Sequence, residues 1–199
     1  MALDGIVVNC LCSEFLSVLK DGRVERIYQP EPDELVMHIR TRGSSLKLLL
    51  SANASFPRVH FTSSSKTNPL SAPMFCMLLR KHLTGGRFVN VLQPDFERVI
   101  EFHIESSNEM GDLSAKRLII EVMGRYSNII LLNSEGVIID SIKHVDEEVS
   151  SVRVVLPGEK YTMPPSQGKL NPLAEDIDKV ISVIRDRYAG ISLEKAIVN

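Results

Sequence analysis

The sequence lacks a strong positive charge, a paired set of cysteines and any apolar run of membrane-spanning length. Its 199 residues include 23 Lys and Arg against 25 Asp and Glu, a formal net charge of −2. Proteins that bind nucleic acid through bulk charge are usually strongly basic, so any contact with RNA has to come from local patches. With 44% hydrophobic residues, the chain can build the core of one domain and part of another.

The three cysteines, Cys10, Cys12 and Cys76, are an odd number, and their spacing matches neither a redox pair nor half of a usual zinc site. We therefore expect reduced thiols, as in a cytosolic protein. The first twenty residues are apolar, but Asp4 stands where a signal peptide has basic residues and Glu14 interrupts the apolar run. This segment is predicted to be an amphipathic helix, because no cleavage site follows it.

Alternating apolar and polar residues predict two sets of short strands separated by one helix. The first set covers 23–29, 34–40, 47–52 and 58–62, and the second covers 88–92, 98–105, 117–123, 128–133 and 137–143. Two such sets predict an α+β fold, with a β-sandwich of two antiparallel sheets flanked by helices. A Pro-rich linker at 161–172 and a helical pattern from 176 to 188 complete the chain.

The helix between the two strand sets ends in three consecutive basic residues. It is predicted at 74–83, with Ser71 as a cap and the Gly85-Gly86 pair as a stop signal. Its last turn holds Arg80, Lys81 and His82. These cations either complement the helix dipole or face a nucleic-acid backbone, and the spacing alone does not separate the two readings.

Several long motifs carry a family resemblance. They run in the order MALDGI, IYQPEPDELVMHIR, LLLSANASFPRVHFT, NPLSAPMFCMLLRKHLTGGR, FERVIEF, VMGRYSNIILLN, IIDSIKHV and SSVRVVLPGEKY. In this order the sequence resembles the N-terminal NFACT-N domain of the RqcH/NEMF family, whose bacterial members have long been called fibronectin-binding protein A. The resemblance covers 1–172, and it implies that 173–199 are the first helices of a truncated helix-hairpin-helix region.

The resemblance also implies a fold similar to the N-terminal domain of formamidopyrimidine-DNA glycosylases. Those enzymes use an N-terminal proline amine and an adjacent glutamate, whereas this chain has Ala2 and Leu3. Without the secondary amine and the acid, we expect no glycosylase activity and no active site of its own. The five histidines are scattered, so neither a metal site nor a cofactor is predicted.

In the family, an Asp near the N-terminus and an Asp-Arg pair in the middle of the domain support tRNA engagement. Asp4 and Arg98 match those positions, while Glu97 replaces the usual Asp and keeps its charge on a longer side chain. Taken without the resemblance, Asp4 is a helix cap, and Glu97 and Arg98 are an exposed pair at a strand entrance. Second-rank contacts with an RNA backbone are predicted for Arg40, Arg42, Arg80, Lys81, Arg87 and Arg125, and Lys47 and Lys143 belong to the same set of basic residues if the two sheets bring them together.

The function implied by the resemblance is that of a tRNA-binding module in a cytoplasmic, ribosome-associated quality control factor. Such a factor binds large ribosomal subunits that carry an obstructed peptidyl-tRNA and recruits alanyl-tRNA for C-terminal alanine tailing. The ribosome performs the peptide transfer, so the module is not an enzyme. The alternative is a surface adhesin with fibronectin as its partner, against which the absence of an export signal or anchor weighs.

Overall fold

Strands are the main regular secondary structure of the chain, and the computed structural model describes residues 3–107, 111–166, 171, 176–192 and 195. The helices of the described residues are α1 (Gly5–Leu19), α2 (Met74–Leu83) and α3 (Ile177–Arg187). The strands are β1 (Arg23–Glu31), β2 (Glu34–Arg40), β3 (Ser45–Ser51), β4 (Arg58–Phe61), β5 (Arg87–Leu92), β6 (Val99–Ser107), β7 (Leu113–Glu121), β8 (Asn128–Leu132) and β9 (Ile138–Ser141). The α+β class is as predicted.

Helix α1 forms where the apolar pattern predicts it. Asp4 is its N-cap, and the Asp4 Oδ1 accepts a hydrogen bond from the backbone N–H of Val7 at 2.9 Å. Its buried side chains follow at intervals of three and four residues, which places them on one face of the helix: Val8, Cys12, Phe15 and Leu19. Burial raises the pKa of Cys12 to about 12, and all three cysteines are free thiols.

The prediction of two separate sheets is wrong. The strands form one antiparallel sheet in the order β4-β3-β2-β1-β5-β6-β7-β8-β9. Its two halves meet where β1 and β5 share a single residue pair, Arg23 and Arg87. Further backbone hydrogen bonds close this junction, among them Val24 N–H to Gly86 O at 2.9 Å and Phe88 N–H to Gly22 O at 2.8 Å. Alternation in the sequence located the strands, but it carries no information about this junction.

The single sheet bends around α1. Strands β4 and β6 are five positions apart in the sheet, which would separate them by about 24 Å if the sheet were flat. Phe15 of α1 nevertheless contacts both, because its ring centroid lies 5.3 Å from that of Phe61 and 5.8 Å from that of Phe102. One hydrophobic core therefore lies between the two halves, with α1 inside the bend.

Helix α2 packs beside β1 and contacts it at Ile27. Its Arg80 Nε donates a hydrogen bond to the backbone carbonyl of Ile27 at 2.8 Å, and Cys76 Sγ lies 3.5 Å from the same oxygen. The helix begins as predicted, but its N-cap is Pro73, which makes no side-chain capping bond. The expectation that Ser71 caps this helix is therefore wrong.

The chain divides into two compact units, Met1–Thr162 and Met163–Asn199. The first unit contains the whole sheet with α1 and α2, and the second contains α3, which Asp176 caps by accepting from the N–H of Asp178. The predicted boundary at 172–173 involves residues outside the described ones. None of the helices in the described ranges has the length and apolarity needed to cross a membrane.

Candidate nucleic-acid interface

The structure brings the N-terminus of α1 and the turn before β6 together, and Gln93 joins them. Its Nε2 donates to the carbonyls of Gly5 at 2.8 Å and Glu97 at 2.9 Å, while its Oε1 accepts from Asn9 Nδ2 at 3.0 Å. All three hydrogen bonds of this contact are part-buried. Asp4 and the Glu97-Arg98 pair, which are far apart in sequence, therefore stand on backbone segments that Gln93 holds together.

Gly5 is the residue of α1 that packs directly against the turn before β6. A Cβ atom at this position would lie 2.8 Å from the carbonyl oxygen of Phe96 and 3.0 Å from its ring. Distances this short are not tolerated against a backbone atom, so α1 can approach the turn this closely only with glycine here. The residue directly after Asp4 thus sets the distance between the two parts of the site.

The turn itself holds an unusual backbone conformation. Asp95 has φ 47° and Phe96 has φ 59°, two consecutive residues other than glycine in the left-handed region. Each such residue costs on the order of 1 kcal/mol or more and persists only where its surroundings hold it. Here the Gln93 bridge and the 2.9 Å bond from Glu97 N–H to Pro94 O hold the turn.

Glu97 and Arg98 emerge from this turn half-buried. In the part of the chain that the structure describes, neither side chain makes a hydrogen bond or an ion pair, so the two do not pair with each other. The backbone around them is fixed, since the Arg98 carbonyl accepts from Val122 N–H at 2.9 Å. A carboxylate and a guanidinium are thus held on an ordered backbone with their hydrogen-bonding groups open to a ligand.

Arg125 follows shortly after Val122, the residue that binds the backbone carbonyl of Arg98. The turn Gly124–Tyr126 directly follows Val122 and Met123, and the Cζ of Arg125 lies 4.6 Å from the ring centroid of Tyr126. Arg125 also donates to the Tyr126 hydroxyl, and both side chains are exposed. Of the second-rank residues, Arg125 therefore lies three positions after Val122, whose N–H binds the Arg98 carbonyl just after the end of β7.

The other second-rank cations lie elsewhere and differ in how much of their charge is compensated. Arg87 pairs with Asp21 at 2.8 Å and with Glu105 at 2.7 Å, so its charge is already balanced by two carboxylates. Arg40 pairs with Glu25 at 3.4 Å. Arg42, Arg80 and Lys81 are exposed, and the basic residues at the end of α2 occupy its last turn as predicted. The predicted cations therefore differ in how much of their charge is available to a phosphate.

Sequence reasoning missed Gln93 and Phe96, which build the site without carrying charge. The signal available was weak: a Gln-Pro-Asp sequence before a predicted strand indicates a turn, but nothing in it identifies the helix that the turn contacts. Of the two glycosylase positions, Ala2 lies outside the described residues, and Leu3 packs against the core. Within the described ranges, no group of three His, Cys, Asp or Glu side chains is placed to hold a metal ion.

We expect Gly5→Ala to destabilise the protein by about 1–2 kcal/mol, although alanine is the better helix former. The added methyl group would push Phe96 and the strained turn away from α1. Urea unfolding measures the effect, and Gly43→Ala is the matched control because a Cβ there would meet nothing within 4 Å. Equal stability of the two variants would show that the close approach at Gly5 is not required.

The chain matches proteins of one family over nearly its whole length. A family model described as NFACT N-terminal and middle domains matches residues 4–199. The Rqc2 homolog RqcH of Bacillus subtilis (strain 168) is 43% identical over 204 residues, which cover 96% of this chain and 36% of that protein. The archaeal Rqc2 homolog aRqcH of Methanocaldococcus jannaschii is 29% identical over 190 residues, or 94% of this chain and 26% of that protein. The chain thus spans about a third of the length of the curated relatives that it matches.

Solved structures with the same fold are named for binding fibronectin or fibrinogen. The N-terminal domain of fibronectin-binding protein PavA from Streptococcus pneumoniae has a TM-score of 0.86 at 38% identity, covering 92% of this chain and 68% of that one. The fibrinogen binding protein from Staphylococcus aureus has a TM-score of 0.87 at 34% identity, covering 100% of this chain and 69% of that one.

Proposed function

The chain belongs to the family of NFACT N-terminal and middle domains, and we propose that it is the tRNA-binding module of an RqcH-like ribosome quality control factor. In this proposal the complete protein works in the cytoplasm on large ribosomal subunits that carry an obstructed peptidyl-tRNA. It recruits alanyl-tRNA for C-terminal alanine tailing of the nascent chain. The ribosome performs the peptide transfer, and this chain contributes binding only.

One observation carries the proposal: Gln93 joins the backbone next to Asp4 to the backbone of Glu97, and the side chains of Glu97 and Arg98 are unpaired in the described part of the chain. A guanidinium presents a planar set of donors that fits a base edge or a phosphate, and a carboxylate accepts from the exocyclic amine of a base. Unstacked bases of an RNA loop offer both kinds of group. The capping bond uses one oxygen of Asp4, which leaves the other available to the same ligand.

Two further points belong to the same proposal. Residues 1–172 would be the NFACT-N domain, with the start of a helix-hairpin-helix region at 173–199. The fold would be related to the N-terminal domain of formamidopyrimidine-DNA glycosylases, reused here for binding instead of base excision. The loss of the proline amine and the adjacent acid, at Ala2 and Leu3, supports that reuse.

The second candidate is an adhesin, which the names of the similar structures favour. One of them is called a fibronectin-binding protein and another a fibrinogen binding protein. Under this alternative, fibronectin or fibrinogen would be the partner, and no RNA would be retained by the protein.

Crosslinking in cells tests the proposal. The complete protein is crosslinked in its host, and the recovered RNA is sequenced for the wild type and for a Glu97→Ala/Arg98→Ala variant. The matched control is Asp186→Ala/Arg187→Ala, which also removes one acidic residue and one Arg, at adjacent exposed positions of α3 that are not among the predicted RNA contacts.

We expect the wild type and the control to enrich alanine tRNA and ribosomal RNA. In the Glu97→Ala/Arg98→Ala variant, tRNA recovery should fall by about tenfold or more, since contacts to bases contribute about 1–3 kcal/mol each. If the wild type retains no RNA above background, the proposal fails and the adhesin becomes the leading candidate.

A further inference from the structure

A second surface of the molecule combines unpaired cations with aromatic rings. The outer face of β1, β2 and β3 turns away from the core, and the strand register places Arg26 opposite His38 and His38 opposite Lys47. Directly opposed residues in adjacent antiparallel strands point to the same side of a sheet. These three side chains therefore form a row across the outer face, about 10 Å long at the backbone.

Two rings and a fourth basic residue extend this row. The Tyr28 and His38 rings meet edge to face with centroids 5.1 Å apart. The Cζ of Arg80 lies 5.6 Å from the Tyr28 ring centroid, while its Nε donates to the Ile27 carbonyl. We call the group formed by Arg26, Tyr28, His38, Lys47 and Arg80 the basic face.

The charges of the basic face are not balanced by carboxylates. Within the described ranges, Arg26 has no hydrogen-bonding or ionic partner, Lys47 donates only to Ser64 and Ser65, and Arg80 donates only to a backbone carbonyl. The neighbouring carboxylate, Glu25, pairs with Arg40. Elsewhere in the first unit, several half-buried arginines pair with carboxylates, as in Arg58–Glu34, Arg87–Glu105, Arg117–Glu101 and Arg153–Glu121.

We propose that the basic face binds the phosphate backbone of RNA at a position separate from the Glu97-Arg98 site. This inference rests on the proposed function and extends it, because it adds a sequence-independent contact to the base-reading one. Lysine and arginine neutralise phosphates, and rings beside them accept an unpaired base by stacking. In a chain with a net charge of −2, such contacts have to be local.

A membrane surface fits the basic face less well. Peripheral membrane binding needs exposed apolar side chains beside the cations. On the outer face of β1–β3, Val36 is half-buried and Leu49 is buried. Among the described residues, none of the large exposed apolar side chains lies on β1, β2 or β3.

His38 provides a direct reporter of anion binding. Its pKa is lowered, first by partial burial and then by the cations Lys47 and Arg26, while Glu25 acts weakly in the opposite direction. Phosphate bound over the row would offset the two cations and favour the imidazolium. The pKa of His38 should therefore rise when RNA binds. By the same linkage, RNA affinity should rise as the pH falls and His38 becomes protonated.

The test measures RNA affinity as a function of salt concentration for the complete protein. The probes are a 20-nucleotide oligouridylate, an RNA duplex of the same length, and vesicles of anionic phospholipid. The variant is Arg26→Ala/Lys47→Ala, and the control is Lys116→Ala/Lys160→Ala, which removes the same charge from β7 and from the segment after β9. His38 is followed by its imidazole NMR signals, assigned with His38→Gln.

We expect the variant to reduce the slope of log affinity against log salt by about 1.4–1.8, since each phosphate contact contributes about 0.7–0.9. The control should leave the slope unchanged, and the pKa of His38 should rise only when RNA is present. Tighter binding of the oligouridylate than of the duplex would assign the rings to base stacking, and the reverse would assign the face to helical backbone; both support the proposal.

The inference is overturned if the variant keeps the slope of the wild type while the Glu97→Ala/Arg98→Ala variant loses tRNA. That outcome leaves the proposed function intact. If the wild type binds neither RNA probe, the inference is overturned, while tRNA recovery in the crosslinking experiment still decides the proposed function. Binding to the vesicles, lost in the variant without any binding to RNA, would assign the face to a membrane and overturn the inference.

Discussion

Arg153→Met is expected to lower the free energy of unfolding by about 3–5 kcal/mol at neutral pH, because it leaves a buried carboxylate without its cation. Arg153 Nη2 lies 2.7 Å from Glu121 Oε1, and the two side chains are only 13% and 3% exposed. Tyr161 donates to the same carboxylate oxygen at 2.9 Å. These contacts hold the segment after β9 against β7.

The effect of Arg153→Met should depend on pH. Burial raises the pKa of Glu121, and Arg153 acts against that rise. Without the arginine, the pKa of Glu121 in the folded protein rises further. A raised folded-state pKa favours folding below the ordinary value and loses that contribution as the pH rises through the folded value. The stability deficit of the variant should therefore be smallest near pH 4 and largest at neutral pH or above.

Urea unfolding at about pH 4.5 and about pH 7.5 measures this deficit. Arg40→Met is the matched control, since its partner Glu25 is on the surface and Arg40 is 75% exposed, so a change within about 1 kcal/mol is expected. Adding Glu121→Gln to Arg153→Met should restore part of the loss by removing the uncompensated charge. A deficit that stays the same at both pH values would contradict this account.

The strand and helix positions could be read from the sequence because they depend on local alternation and on local caps. The α2 helix was predicted with its exact bounds, and Asp4 caps α1 as one of the two readings of that residue expected. Strand β7 begins at Leu113, four residues before its predicted start. The prediction missed these residues because the first half of the strand is at the surface and is mostly polar. Alternation of apolar and polar residues does not identify a strand segment of this kind.

The joining of the two halves could not be predicted, because it depends on contacts between residues far apart in sequence. One residue pair, Arg23 and Arg87, makes a single sheet from the two strand sets. The buried carboxylate Glu121 likewise looks like a solvent-facing residue in an alternating pattern, because the segment with Arg153 that pairs with it comes later in the chain.

The candidate site divides in the same way. Its charged residues, Asp4, Glu97 and Arg98, were named from a family resemblance, and their roles remain predictions. The means by which they are held together was not visible in the sequence. Gln93 is an ordinary turn residue until its partners Gly5 and Asn9, more than eighty positions away, are known.

Phe15→Ala is expected to destabilise the protein by about 3–5 kcal/mol, the usual range for a large aromatic side chain removed from a core. Phe15 is fully buried and contacts Phe61 of β4 and Phe102 of β6, so its ring fills the space where the sheet bends around α1. Phe56→Ala is the matched control, because Phe56 is 72% exposed and its removal should change stability by less than about 0.5 kcal/mol.

The same substitution links the core to the site, because α1 carries both. Phe15 holds the helix against the sheet, while Asp4 and Gly5 at its N-terminus meet the strained turn at Phe96. A helix that packs less firmly should hold the Gln93 bridge less well. We therefore expect Phe15→Ala to weaken tRNA capture at temperatures where the protein is still folded, and Phe56→Ala to leave capture unchanged. Full tRNA capture by a folded but destabilised Phe15→Ala protein would show that the site does not depend on the seating of α1.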